Sequence, residues 1–345
     1  MRNPTLKKNI FTLFFVCICA AFLFQSSPLL NPAHAEDSAD VSASAAQLFA
    51  RWLADLRQEA LAQGISEPTL DDALSRIEAP TNRIIELDRN QPELKLSLAT
   101  YLEQRLTPTR IAKGKAMLQQ HAVVLKQIEQ QFGVPPRFIV ALWGLETSYG
   151  AYTGGFSVIQ ALATLAYDER RSAYFRAELL QALKIIDAGH IEAEKMQGSW
   201  AGAMGQCQFM PSSFSNHAID GDGDGVIDIW NSIPDVLTSA ANYLRKSGWE
   251  TGYTWGRKVQ VPDNLDQALL GHNTRLPLHE WANHGVKRAN GAPLPAVDID
   301  ASLIRPDGAG GDAWLVYQNF RVILKWNRSN AFGIAVGTLA DAIRD

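Results

Sequence analysis

The chain has 345 residues, of which 46% are hydrophobic and 20% charged, and it carries a formal net charge of −4 and three cysteines. That length buries a substantial core, and the acidic balance argues against a nucleic-acid binder or a protein that grips an anionic membrane through charge.

Arg2, Lys7 and Lys8 precede an apolar stretch from Ile10 to Phe24, and Ala33-His34-Ala35 has the small-x-small pattern read by signal peptidase. Residues 1–35 therefore predict a cleaved export signal. The alternative, a retained anchor, is disfavoured because roughly 15 apolar residues fall short of the about 20 that span a bilayer. Neither Cys17 nor Cys19 follows the small residue that a lipid-attachment box requires, so a soluble exported chain with no stable membrane anchor is expected. The segment holds three Lys or Arg and no acids, which leaves 29 basic against 36 acidic residues, a charge of −7. It also takes two cysteines with it. Cys207 remains alone, so no internal disulfide can form and the core must carry the stability.

After a solvated lead-in, "EDSADVSASAA", the pattern from Ala45 to about Ile191 is mostly helical. Trp52, Leu53, Leu56, Ala60 and Leu61 recur at three- and four-residue spacing and Gly64 offers a stop. Ser66 and Pro68 open the next helix ahead of Leu70, Ala73, Leu74 and Ile77. Amphipathic runs follow from Leu94 to Leu106 and from Ala116 to Phe132, and Pro135-Pro136 starts a helix that should close at Gly150. Residues 250–320 read differently: Gly, Pro and Asn punctuate short β-prone pieces, and Lys258 to Val261, Trp314 to Val316 and Arg321 to Trp326 are the candidate strands. The chain closes helically from about Ala331 to Ile343. The fold class is mainly α (α+β), one large domain with a smaller unit attached or inserted.

The stretch "ALWGLETSYG" places one carboxylate in an apolar helix. Ile139, Leu142, Trp143 and Glu146 stand at i, i+3, i+4 and i+7, so Glu146 continues the apolar stripe. It also lies in the last turn, at the negative end of the helix dipole. Burial and dipole should both raise its pKa, and a carboxylic acid kept protonated near neutral pH is what a glycosidase uses on a departing sugar oxygen. The bland alternative is a glutamate that swings to solvent or pairs with an arginine.

In "GSWAGAMGQCQFMPSSF", Gly202, Gly205, Ser199, Gln206 and Gln208 surround Trp200 and Phe209, and a helix starts at Pro211-Ser212-Ser213. Small residues let a ligand approach the backbone, amides and hydroxyls read sugar hydroxyls, and aromatics stack on sugar faces. A tight helix connection is the competing reading. "DGDGDGVIDIWN" has EF-hand spacing, with Asp220, Asp222 and Asp224 at positions 1, 3 and 5, Gly225 at 6, Val226 at 7 and Asp228 at 9. Position 12 is Asn231 where a bidentate Glu belongs, so either it or Asp235 downstream is the last ligand. A single loop suits a structural Ca²⁺ clip better than a sensor.

Together these residues resemble the lytic murein transglycosylase B family. The resemblance rests on "VPPRFIVALWGLETSYG", "FSVIQALATLAYDERRSAYFRAELLQAL", "GSWAGAMGQCQFMPSSF", "IDIWNSIPDVLTSAANYL" and "LKWNRSNAFGIAV", and spans about Phe49 to Ile343. It implies a helical unit over 36–130, a lysozyme-like helical core with the EF-hand-like loop over 131–250, a small β-containing inserted unit over 251–320 and a return to the core over 321–345. It implies Glu146 as the catalytic residue, and substrate contacts from Ser199, Gln208, Phe209, Tyr243, Trp326, Asn327 and Phe332. The chain departs from some relatives in carrying Trp326 and Phe332 in place of tyrosines, which keeps aromatic surface and loses two hydroxyls. Its acidic loop is one residue longer, with Asp235 as the best counterpart of the last calcium carboxylate.

The implied reaction cleaves the bond between N-acetylmuramic acid and N-acetylglucosamine without water, leaving a 1,6-anhydro end. One carboxyl group then suffices, where a hydrolase normally needs two. The rivals are a lysozyme-type muramidase that delivers water and a non-catalytic murein-binding scaffold. Peptidoglycan strands are the expected partner, cell-wall synthesis or remodelling proteins are candidates, the periplasm is the expected location, and no organic cofactor is expected.

Overall fold

The structure is a computed structural model that describes residues 32–90 and 96–344. The chain divides into a segment Met1–Ala45 and a main unit Ala46–Asp345. The expected export signal lies outside the described residues except for positions 32–35, which begin helix α1 (Pro32–Ala62).

The early helices are α2 (Glu67–Leu74), α3 (Asn82–Arg89), α4 (Leu98–Arg105), α5 (Pro108–Gln120) and α6 (Ala122–Phe132). The run expected from Ala116 to Phe132 is two helices, because the chain turns at His121, where the backbone leaves helical geometry. The start of α5 is set by Thr107, whose hydroxyl accepts from Arg110 N, with Pro108 in the first turn, where its missing N–H costs nothing. Leu94, the expected start of an earlier run, lies outside the described residues, and α4 begins at Leu98.

At the centre is α7 (Pro136–Thr147), buried at every position from Phe138 to Leu145. Around it stand α8 (Val158–Tyr167), α9 (Ser172–Asp187), α10 (Pro211–His217) and α11 (Ile233–Lys246), with the short antiparallel pair β1 (Phe156–Ser157) and β2 (Gln197–Gly198) between them in sequence. One hydrophobic cluster extends from Phe49 through these helices to Ile343. The architecture is mainly α with a small sheet.

That sheet is built from β3 (Gly256–Gln260), β4 (Leu276–Pro277), β5 (Lys287–Arg288), β6 (Asp300–Ile304) and β7 (Ala313–Val316), in the antiparallel order β4-β6-β7-β3-β5. With α12 (Leu278–Asn283) it encloses a second, smaller cluster around Leu278, Trp281, Leu303 and Leu315. Trp281 is fully buried and its indole N–H donates to Ala301 O at 3.0 Å, which satisfies the one polar group of a large apolar ring.

One expected strand is wrong. Arg321 to Trp326 belongs to helix α13 (Gln318–Trp326), which packs on α14 (Asn330–Ala342). Asn319, Phe320, Val322 and Ile323 fall on one buried face at helical spacing, and burial of that face outweighs the β propensity of Val322 and Ile323.

Where the sheet meets the helices, Trp255 lies flat against Gly337 of α14 and donates its indole N–H to Asp341 at 3.0 Å. A Cβ at position 337 would overlap the indole ring. Gly337→Ala should therefore lower stability by about 1–3 kcal/mol despite alanine's better helix propensity. Urea denaturation checks this, and an unchanged midpoint at equal m-value would show that Trp255 is not held there.

Candidate active site and acidic loop

Glu146 is half-buried, one position before the end of α7, the helix that is otherwise buried from Phe138 to Leu145. The helix does not run on to Gly150. It stops at Thr147, and Ser148, Tyr149 and Gly150 follow with φ of 53°, 60° and 78°. Two consecutive non-glycine residues in the left-handed region are costly, and such strain persists only where the surroundings impose it. Here the restraints are visible. Arg110 donates to Ser148 Oγ at 3.1 Å, Lys113 donates to Ser148 O at 3.0 Å, and the buried Tyr149 donates its hydroxyl to Arg110 O at 2.8 Å. Both cations also stand at the negative end of the α7 dipole. Burial pushes the Tyr149 hydroxyl up to about 12, so it remains a donor.

The partner of Glu146 comes from the other end of the chain. Trp326, the last residue of α13, donates its indole N–H to Glu146 Oε1 at 2.8 Å. Its ring lies 5.1 Å from Phe209 and 4.8 Å from Tyr243, which are 5.6 Å from each other. Tyr243 in turn donates its hydroxyl to Lys325 O at 2.7 Å and so ties α11 to the end of α13. A small cavity of about 10 Å³ lies behind Glu146 and Trp326, floored by Cys207, Val236, Leu237 and Ala240. Burial, and then the charges of Glu146 and Asp235, hold the Cys207 thiol far above its ordinary range, so it is not a nucleophile.

The other expected contacts divide. Ser199 Oγ accepts from Ala201 N and Ala203 N at 3.3 and 3.0 Å, and Gln208, in left-handed geometry at φ 51°, donates to Thr153 O and Gly205 O. Asn327 follows Trp326, is exposed, and accepts from Ser329 N at 3.0 Å. Phe332 is buried in the main core and presents little surface to a ligand, as is Phe209 apart from its edge on Trp326.

The glycines of the 198–209 loop are not openings for a ligand. A Cβ at Gly198 would strike Ala203 O, and one at Gly205 would strike Ile229 O, so they are small because the chain packs against itself. Gln206 also departs from the reading as a sugar contact. It is buried, its Oε1 accepts from Trp143 Nε1 at 2.9 Å, and its Nε2 donates to Trp230 O at 2.8 Å.

In the acidic loop, Asp220, Asp222 and Asp235 bring carboxylate oxygens within 4.8 Å of one another. Asp224 and Asp228 are not part of this trio. Asp224 accepts from Val226 N, and Asp228 accepts from Trp230 N and from both nitrogens of Asn231. Short loop carboxylates turn onto local N–H groups, a preference that ligand-spacing alone does not reveal. Asp235 is fully buried, and burial raises its carboxyl against the opposing pull of the Asp228 and Gly221 N–H groups. Asp220 is held below the usual range, chiefly by the N–H of Gly225. Three clustered carboxylates, one of them buried, form a hard-oxygen set that fits Ca²⁺, with Asp235 beside Asp220 and Asp222.

A family profile described as Transglycosylase SLT domain matches residues 48–341, and the chain belongs to the lytic murein transglycosylase B family of enzymes. It is 34% identical over 247 residues to the membrane-bound lytic murein transglycosylase B of Escherichia coli, covering 70% of this chain and 66% of that protein. It is similar to SltB3 from Pseudomonas aeruginosa in complex with NAG-anhNAM-pentapeptide, at 46% identity and a TM-score of 0.82 over 86% of this chain and 79% of that one. It is also similar to the Escherichia coli lytic transglycosylase SLT35 in complex with calcium, at 30% identity and a TM-score of 0.73 over 86% and 92% of the two chains.

Adding Ca²⁺ to chelator-treated protein should raise its melting temperature, by the equivalent of about 2.7 kcal/mol at a hundredfold excess over Kd. Asp220→Ala with Asp222→Ala should abolish the rise. Identical melting curves of the unmutated protein with Ca²⁺ and with chelator would rule out the site.

Proposed function

We propose that the chain is an exported, periplasmic enzyme that cleaves the β-1,4 bond between N-acetylmuramic acid and N-acetylglucosamine in peptidoglycan and leaves a 1,6-anhydro end. The observation that carries this reading is the half-buried Glu146, anchored through Oε1 by Trp326, whose indole packs against Phe209 and Tyr243. The NAG-anhNAM-pentapeptide bound to SltB3 supports the anhydro product. Among the described residues no helix is long and apolar enough to cross a membrane.

In this mechanism Glu146 protonates the glycosidic oxygen as the C1–O bond breaks. Its carboxylate then takes the proton of the muramic acid C6 hydroxyl as that oxygen closes on C1. The substrate carries its own nucleophile, its N-acetyl group stabilises the cationic centre, and no attacking water is needed. Trp326 keeps the carboxyl group aimed through both proton transfers, since it has no proton to exchange and only one direction to donate. Ser199, whose oxygen already accepts two N–H groups, meets the glycan as a donor, and Gln208 and Asn327 supply amide contacts beside it. Asp220, Asp222 and Asp235 would hold a structural Ca²⁺, with Asp224, Asp228 and the Val226 carbonyl as further candidate oxygen ligands from the same loop. A Ca²⁺ there would neutralise the mutual repulsion of these carboxylates, apart from the proton transfers at Glu146.

Glu146→Gln should fold, bind glycan and lose nearly all turnover of purified sacculi, because the amide keeps the shape without a transferable proton. Chromatography and mass analysis of the wild-type digest should give muropeptides lighter by one water than those of a hydrolase. Hydrated reducing ends as the sole product would overturn the anhydro reading. Trp326→Phe keeps an aromatic ring and removes the N–H donor, so kcat should fall about tenfold or more, the equivalent of at least about 1.4 kcal/mol in the barrier, with little change in melting temperature. Full kcat in this variant would show that the hydrogen bond does not position the acid.

A further inference from the structure

Trp326 and Asn330 stand at the two ends of the turn that joins α13 to α14, and each is tied to a residue far along the chain. Trp326 donates to Glu146. Asn330, the first residue of α14, meets His272 from the segment between β3 and β4, with imidazole Nε2 2.8 Å from Asn330 Oδ1. Between these anchors the turn is closed on itself. Asn327 Oδ1 accepts from Ser329 N at 3.0 Å, and Ser329 caps α14 by accepting from Phe332 N at 3.3 Å. A turn this short has little freedom of its own, so its direction is set by what holds its ends.

His272 is itself fixed. Gly271 before it has a φ of 108°, which side chains rarely adopt, and donates its N–H to Leu303 O at 2.8 Å, while His272 O accepts from Arg321 at 2.6 Å. The ring lies nearly parallel to the buried Phe320, with centroids 6.0 Å apart and planes at 13°. Its Nδ1 is buried and, among the described residues, has no hydrogen-bond partner. A proton on Nδ1 would set the lone pairs of Nε2 and Oδ1 against each other at 2.8 Å, whereas a proton on Nε2 makes the contact a hydrogen bond. The tautomer is therefore fixed, with His272 as donor. A buried nitrogen left bare needs a reason, and here the ring is placed for the bond on its other edge.

We propose that His272 is a positioning residue for the glycan: its Nε2–H holds Asn330 and, through the closed turn, sets where Asn327 meets the strand. This rests on the reading of Asn327 as a glycan contact. The two anchors then have separate effects. Trp326 aims the acid and acts on kcat, while His272 fixes the turn and acts on KM. The sheet unit thereby contributes one hydrogen bond to a site otherwise built from the helices.

The test uses the mature chain and solubilised peptidoglycan strands. His272→Phe keeps a ring on Phe320 and removes the donor, so KM should rise about fivefold with kcat within about twofold of the wild type. Asn330→Ala should do the same, and the double variant should be no worse than either, because both changes remove one bond. Asn330→Asp keeps an acceptor and should keep the wild-type KM. In the ¹⁵N spectrum of the imidazoles, the His272 signals, identified by their loss in His272→Phe, should show Nε2 protonated and Nδ1 bare. A proton on Nδ1, an unchanged KM in His272→Phe, a loss confined to kcat, or multiplied effects in the double variant would each overturn the proposal. Asn327→Ala separates the two readings. A raised KM there beside an unchanged KM in His272→Phe keeps the glycan contact and removes His272, whereas an unchanged KM in Asn327→Ala removes the contact and with it the route by which His272 acts.

Discussion

The buried amide of Gln206 is the interaction on which the site depends. It accepts from Trp143 Nε1, one turn before Glu146 on α7, and donates to Trp230 O at the end of the acidic loop. The backbone of the same residue accepts from Thr147 Oγ1 and donates to Ile229 O. One side chain and its peptide groups thus join the helix that carries Glu146, the 198–209 loop, and the loop that gathers carboxylates. A polar group in such a place is stabilising only when all its partners are present, because an unpaired buried amide costs more than a paired one contributes. The junction is therefore rigid, and Gly150 lies so close to the Gln206 side chain that no Cβ fits there.

Rigidity on that side is matched by a long-range closure on the other. Glu146 and Trp326 are 180 positions apart, and their hydrogen bond exists only because α13 returns to the core after the sheet unit. The strained exit from α7 has the same purpose: Arg110 and Lys113 hold Ser148, and the Tyr149 ring fills the space against Gly114 and Gly144. The strain in Ser148 and Tyr149 persists because these contacts impose it, and it fixes where the last turn of α7 presents Glu146.

The sheet unit has its own small core, and its contacts with the helices run through buried polar side chains as well as through Trp255. Such contacts specify direction and spacing, whereas an apolar interface of the same size would tolerate sliding. Tyr253 and Arg275 both line the open pocket beside the start of α13.

Local order was legible in the sequence. Periodicity and Pro or Gly punctuation located α2, α7, α10 and α14, the change of texture at 250 marked the sheet, and Glu146 was singled out by its place in an apolar stripe. Asp220 and Asp222 were recognisable from their spacing, since candidate ligands two residues apart need no knowledge of the fold. What sequence could not resolve depended on partners far along the chain. Gln206 looked like a sugar-reading amide until Trp143 and Trp230 closed on it, the glycines near it looked open until their own backbone filled the space, and Val322 and Ile323 looked like a strand until α14 buried them on a helix. Propensity and spacing act over a few residues and are written in the chain. Burial, and the pairing of one buried polar group with another, exist only once distant segments have met, and that meeting decided which candidate side chains face the cleft and which hold it together.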